Sequence, residues 1–231
     1  MRAVLLGLAM LVLLAVGPAR ADDPIYLVQY IDVSAAGQSA AAKAIGEART
    51  AGRKADGNLS FDAYAEAGRP TRFVIVSLWR DQKAVDAYSA SPVMKGLTLK
   101  LDPLRVTPFD QRWLTVMGGD APGAAAPAGR PVPGKRAVYV VTHMDSIPPF
   151  KDKAAEFLKQ LADASVKQPG VVRYQVLVQT NRPNHFKLLE VWADQTAFAT
   201  HVASKEAKQF RELVQEGTGS PYDERLYKTV P

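Results

Sequence analysis

Short runs crowded with β-branched and aromatic residues alternate along this chain with longer stretches whose apolar positions recur every three or four residues. The runs Ile25–Val33, Leu59–Glu66, Arg72–Trp79 and Arg112–Val116 predict strands, and so do Val138–Asp145, Val171–Thr180, His185–Trp192 and Glu224–Thr229. After the fifth of these, Phe150, Ala154, Phe157, Leu158, Leu161, Ala162 and Val166 keep helical spacing, with Pro148-Pro149 ahead of them and Pro169-Gly170 behind. A helix is predicted at the matching place after the first strand. Asp81 and Asp194 stand where N-caps are wanted, each ahead of a helical pattern: Ala84, Ala87 and Tyr88, then Ala197, Phe198 and His201. Further helical stretches cover Met94–Leu101 and Ala207–Val214. Polar turns carrying Arg69-Pro70 and Arg182-Pro183 join the middle strands.

The two halves of this pattern are copies. At an offset of 113 residues, without a gap, Tyr26 falls on Tyr139, Asp32 on Asp145, Gly57 on Gly170, Phe73 on Phe186 and Trp79 on Trp192. Pro108, Asp110 and Arg112 fall on Pro221, Asp223 and Arg225. That period is too long for a solenoid, so it marks a duplicated domain. Residues 117–136 between the copies are rich in Pro, Gly and Ala and read as an irregular connector. The units are therefore 22–116 and 137–231, each with the order β-α-β-β-α-β of the ferredoxin-like arrangement. Helices on one face of a four-stranded sheet leave the other face bare and apolar. The same face of the other copy covers it most simply, giving tandem α+β units packed sheet-to-sheet as an intrachain barrel.

Met1-Arg2, the apolar stretch Ala3–Val16, the break at Gly17-Pro18 and Ala19-Arg20-Ala21 form the pattern of a secretory signal peptide over residues 1–21. The apolar stretch is shorter than the roughly 18 residues that span a bilayer, so a periplasmic or secreted protein with no stable membrane insertion is expected. The chain has no cysteine, which removes disulfides, thiol catalysis and cysteine-built metal sites from consideration. Its formal charge of +6 becomes +4 once Arg2 and Arg20 leave, and the surplus is spread without a basic stripe. Nucleic acid is therefore not an expected partner.

The run Glu190-Val191-Trp192-Ala193-Asp194-Gln195-Thr196-Ala197-Phe198-Ala199-Thr200-His201 resembles the E-x-W-x-D-x-x-A-x-x-x-H stretch of antibiotic biosynthesis monooxygenase (ABM) domains, and Ser204 and Phe210 continue the likeness. In the first unit Trp79, Asp81 and Ala84 remain, while Ser77 replaces the glutamate and Tyr88 the histidine. The resemblance implies a dimeric α+β barrel and oxidation of a small aromatic or quinol substrate by O₂ without a bound cofactor. Such chemistry needs a pocket that desolvates the substrate and a polar group that takes its proton. The haem-degrading relatives hold iron through a later histidine, where this chain reads Gln209-Phe210-Arg211.

On this reading His201 is the candidate base, with Trp192 as pocket wall and His143 as a second catalytic candidate. Tyr30, Phe73, Trp79, Tyr88, Tyr139 and Phe186 are candidate substrate-binding residues. His143 aligns with Tyr30 and His201 with Tyr88. If the strand and helix positions face each other, each unit carries one polar pair lining its own pocket. Where the second unit has Phe157, Leu158 and Leu161, the first has Ala44, Ile45 and Ala48. That difference predicts either a roomier pocket in the first unit, lined by Tyr30, Phe73, Trp79 and Tyr88, or a closer approach of helix to sheet. No recognised metal spacing joins the histidines to Asp145 or Glu190, so neither a metal nor a cofactor is expected. A non-enzymatic module that binds a small apolar molecule or a protein partner is the other reading of the same scaffold.

Overall fold

The computed structural model describes residues 23–123 and 133–230. The expected signal segment and the middle of the connector lie outside these residues. The first unit runs β1 (Ile25–Asp32), α1 (Gln38–Gly52), β2 (Asn58–Glu66), β3 (Arg69–Trp79), α2 (Gln82–Ser89), α3 (Pro92–Leu101) and β4 (Asp110–Gly119). The second runs β5 (Val138–Asp145), α4 (Lys151–Ser165), β6 (Val171–Gln179), β7 (Arg182–Trp192), α5 (Gln195–Ala203), α6 (Lys205–Gln215) and β8 (Asp223–Thr229). Among the described residues no helix is long and apolar enough to cross a membrane.

All eight strands close into one barrel in the order β1-β3-β2-β8-β5-β7-β6-β4. The two sheets therefore do more than face each other. Their edges are hydrogen-bonded, β2 to β8 and β4 to β6, so neither unit keeps an unpaired edge. The β4–β6 pairing carries β4 on to Gly119, past the expected domain boundary at residue 116. At that end Gly118 lies against Ala162 and Lys159 of α4.

Strand alternation divides the core in three. Phe73, Ile75 and Trp79 of β3 point to the helices of the first unit, while Val74, Val76 and Leu78 point into the barrel. In β7, Phe186, Leu188 and Trp192 point outward to helices and Leu189 inward. Because both faces are buried, these strands read as largely apolar runs. Each second helix is started by the expected aspartate: Asp81 Oδ1 accepts from the Ala84 amide at 2.7 Å and Asp194 Oδ1 from the Ala197 amide at 3.0 Å. Replacing either aspartate by alanine is expected to lower folding stability by about 1 kcal/mol, read from urea midpoints. Gly57 and Gly170, at φ +74° and +80°, occupy one place in the repeat. A Cβ there would come within 2.5 Å of Ala84 or Ala197 as well as straining the backbone.

The last turn of α1 lies close against the sheet of the first unit. A Cβ on Gly52 of α1 would stand 2.5 Å from the Phe61 ring, and Phe61 meets Tyr88 edge-on at 5.7 Å. Phe73, Trp79 and Tyr88 are all buried in this layer. The single roomier pocket expected from Tyr30, Phe73, Trp79 and Tyr88 does not form: Trp79 and Tyr88 stack on each other in the layer beneath the helices, away from Tyr30. Tyr30 lies elsewhere, on the inward face of β1.

Candidate functional site

The ABM-like run forms a packed layer beneath the helices of the second unit. Trp192 Nε1 donates to Glu190 Oε2 at 2.9 Å, and His201 stacks on the indole with centroids 4.6 Å apart and planes at 26°. His201 Nδ1 meets Gln168 Oε1 at 2.9 Å, which places the ring proton on Nδ1, and Nε2 lies 3.7 Å from Glu190 Oε2. Tyr174 closes the cluster with its ring edge-on to both. Burial pushes the Glu190 carboxyl up to about 8 and the His201 imidazole down to about 4, so both are neutral near pH 7. His201 is only 4% exposed.

The first unit repeats this arrangement with other atoms. Trp79 Nε1 donates to Ser77 Oγ at 2.9 Å, and Tyr88 stacks on the indole at 4.5 Å and 28°. Glu190 and His201 thus change together to Ser77 and Tyr88 while the indole keeps an acceptor and a stacked ring. In both units these residues are packed between helix and sheet.

The expected facing pairs, Tyr30 with Tyr88 and His143 with His201, do not meet. Alternation sends Tyr30 and His143 into the barrel, whereas Tyr88 and His201 sit on helices packed on its outer face. Phe186 is likewise buried under the helices.

Instead, the barrel has a cavity at each end. One, of about 390 Å³, is lined by Tyr30, Phe73, Arg72, Arg112, His143 and Lys187, among others. His143 and Lys187 are register partners on β5 and β7, with Lys187 Nζ 3.0 Å from His143 Nδ1. Arg112 Nη1 approaches the same ring at 3.0 Å while its Nη2 donates to Asp110 at 2.8 Å. Lys187 is 1% exposed and stands 4.7 Å from the centre of the Tyr30 ring. Burial, and next the Arg112 charge, push its amine well below the ordinary lysine range. Burial, followed by Lys187 and Arg112, takes His143 down to about 4.

The other cavity, of about 550 Å³, lies at the opposite end and is walled by Tyr26, Tyr64, Tyr139, Leu78 and Val191. Tyr64 and Tyr139 pack with ring centroids 4.8 Å apart, and Tyr26 donates to Gln175 Oε1 at 2.7 Å. Arg173 of β6 enters this cavity, and its Nε is buried with no hydrogen-bond partner. Asp62, held by Arg53 at 2.9 Å, is on the same wall. Of the substrate-binding candidates named from the sequence, this end gathers Tyr139, beside its repeat partner Tyr26. Arg173 and Tyr64 were missed because the cavity draws on strands of both units. Lys187 carried a local signal, a charge inside the apolar run Phe186–Trp192.

Comparison with known proteins gives the scaffold its family. The sequence profile described as antibiotic biosynthesis monooxygenase matches residues 24–97 and again 137–213. The chain belongs to the antibiotic biosynthesis monooxygenase family. Solved structures of the full tandem form share the fold of this ABM protein. A candidate monooxygenase from Fusobacterium nucleatum is 15% identical with a TM-score of 0.76, covering 92% of this chain and 94% of its own. One from Lactobacillus acidophilus is 13% identical with a TM-score of 0.69, covering 90% and 95%. An anthrone oxidase-like protein is 16% identical with a TM-score of 0.68, covering 91% and 92%. A search among curated proteins gives no significant match.

Proposed function

We propose that this ABM protein is an exported monooxygenase that oxidises a small aromatic or quinol substrate with O₂, without a bound cofactor, in the cavity of Tyr26, Tyr64, Tyr139 and Arg173. The observation that carries the reading is the Arg173 Nε, buried without a partner among aromatic walls. An unmet buried donor favours an acceptor, best an oxyanion, and the tyrosine rings suit a flat ring beside it. A volume of about 550 Å³ is in the range of small-molecule sites. A phenolic substrate gives its proton to the Asp62 carboxylate, and the guanidinium holds the phenolate. The electron-rich anion then reduces O₂. One oxygen atom enters the ring carbon and the other leaves as water, the two electrons and two hydrogens coming from the substrate itself. The barrel walls keep bulk water from the anion.

Oxygen uptake with a panel of mono- and bicyclic quinols tests this. Arg173→Met is expected to lower kcat/KM by more than about tenfold, as loss of an oxyanion donor does. An active Arg173→Met chain would sink the reading. The packing role of Trp192 and His201, outside both cavities, favours a second reading in which the same cavity binds such a molecule without oxidising it. Arg173-dependent quinol binding with no O₂ uptake would decide for that one. Export rests on the pattern of residues 1–21, and the mature chain is expected to begin at Asp22 when its mass is measured after expression with the leader.

A further inference from the structure

Strand pairing assembles a donor set that the spacing of the sequence conceals. His143 and Asp145 are alternate residues of β5 and share one face, and Asp145 is the register partner of His185 on β7. His143 Nε2 lies 2.8 Å, and His185 Nδ1 2.6 Å, from the same oxygen, Asp145 Oδ1. The three ligand atoms are all within 4.8 Å of one another. That Oδ1 is buried, and no group besides the two imidazoles is hydrogen-bonded to it. The two ring nitrogens converge on that one oxygen. The other oxygen, Oδ2, accepts from Ser220 Oγ at 3.3 Å, which fixes the carboxylate plane.

The first unit shows a different arrangement at this place. Its aligned residues are Tyr30, Asp32 and Arg72, and Arg72 Nε meets Asp32 Oδ2 at 3.1 Å. There the chain supplies its own cation to the carboxylate. In the second unit the arginine position is an imidazole, and the tyrosine position is a second one.

We propose that His143 Nε2, Asp145 Oδ1 and His185 Nδ1 bind a divalent transition-metal cation of the zinc type, with water completing the shell. The site lies at the barrel end away from Arg173, and the inference goes beyond the oxygenase reading. Lys187 Nζ, 3.0 Å from His143 Nδ1, fixes that ring with Nε2 toward Asp145. Arg112 Nη1 stands 3.0 Å from Nε2 and gives way toward Asp110, which already holds it. Two imidazole nitrogens and one carboxylate oxygen are a poor set for hard ions such as Ca²⁺ and Mg²⁺, which take oxygen ligands. Zn²⁺, Co²⁺, Ni²⁺ and Cu²⁺, which bond well to imidazole, remain.

Chelator-treated full-length protein is titrated with Co²⁺, read by its visible absorption bands, and with Zn²⁺ by calorimetry. One equivalent per chain is expected. His185→Arg, which writes the first unit's arrangement into the second, and Asp145→Asn each weaken uptake by more than about tenfold, while Asp32→Asn leaves it unchanged. The parent's thermal midpoint also rises with Zn²⁺ concentration, a reading that needs no variant to fold. Absence of stoichiometric uptake by the parent, a midpoint indifferent to Zn²⁺, or uptake undiminished in both variants overturns the proposal.

Discussion

Truncation of Trp192 to alanine is expected to cost about 3–5 kcal/mol of folding stability, a large part of what a domain of this kind possesses. The indole is fully buried, its N–H is satisfied by Glu190, and His201 and Tyr174 pack on its face and edge. Removing it opens a void beneath α5 and leaves the Glu190 carboxyl without its donor. Trp79→Ala should cost a comparable amount in the first unit, where Ser77 and Tyr88 play the corresponding parts. Guanidinium unfolding of both variants checks this. A Trp192→Ala protein of parental stability that merely lost activity would return the indole to the role of a substrate wall.

The second large effect is a pH dependence. Glu190 has its folded pKa raised to about 8 by burial, from 4.5. A raised carboxyl is bound to its proton in the folded chain and not in the unfolded one across that interval. Its contribution is therefore full below pH 4.5 and is lost as the pH climbs toward 8. Glu190→Gln keeps an acceptor for the Trp192 N–H and removes the titration. Relative to this variant, the parent should lose up to about 2 kcal/mol between pH 6.5 and 8. Taking the difference between the two chains matters because all other titrating groups are common to both. His201, lowered to about 4, by itself gives a contribution of opposite slope below pH 6.5. Urea midpoints at pH 5, 6.5 and 8 test the difference, and parallel profiles for parent and variant would refute it.

Most of the scaffold was legible because its signals are local. The alternation and the caps at Asp81 and Asp194 sit within a few residues of the elements they define, and β5 runs over Val138–Asp145 as read. The last strand of the first unit was read too short, since its extension to Gly119 is held by pairing with β6, which leaves no mark on the strand itself. Sheet faces were the harder matter. A run such as Phe73–Trp79, buried on both sides, has one polar residue, Ser77, and no alternation to say which side is inward. For that reason Tyr30 and Tyr88 could be imagined facing each other. The ABM-like motif was visible residue by residue, but not that its tryptophan and histidine stack on each other in a buried layer outside both cavities. The unmet donor of Arg173 and the convergence on Asp145 exist only once strands distant in sequence are side by side.

Lys187 over the Tyr30 ring has a consequence for why the units share one chain. Were the barrel built from two identical copies of the second unit, symmetry would bring a second Lys187 and a second His143 to the same end. Two buried amines would then share that end, and neither would have the Tyr30 ring that now receives Lys187. Covalent fusion lets a mutation occur on one side of the axis without being mirrored on the other. The buried lysine is thus an asymmetric solution, open to a tandem gene and closed to a homodimer.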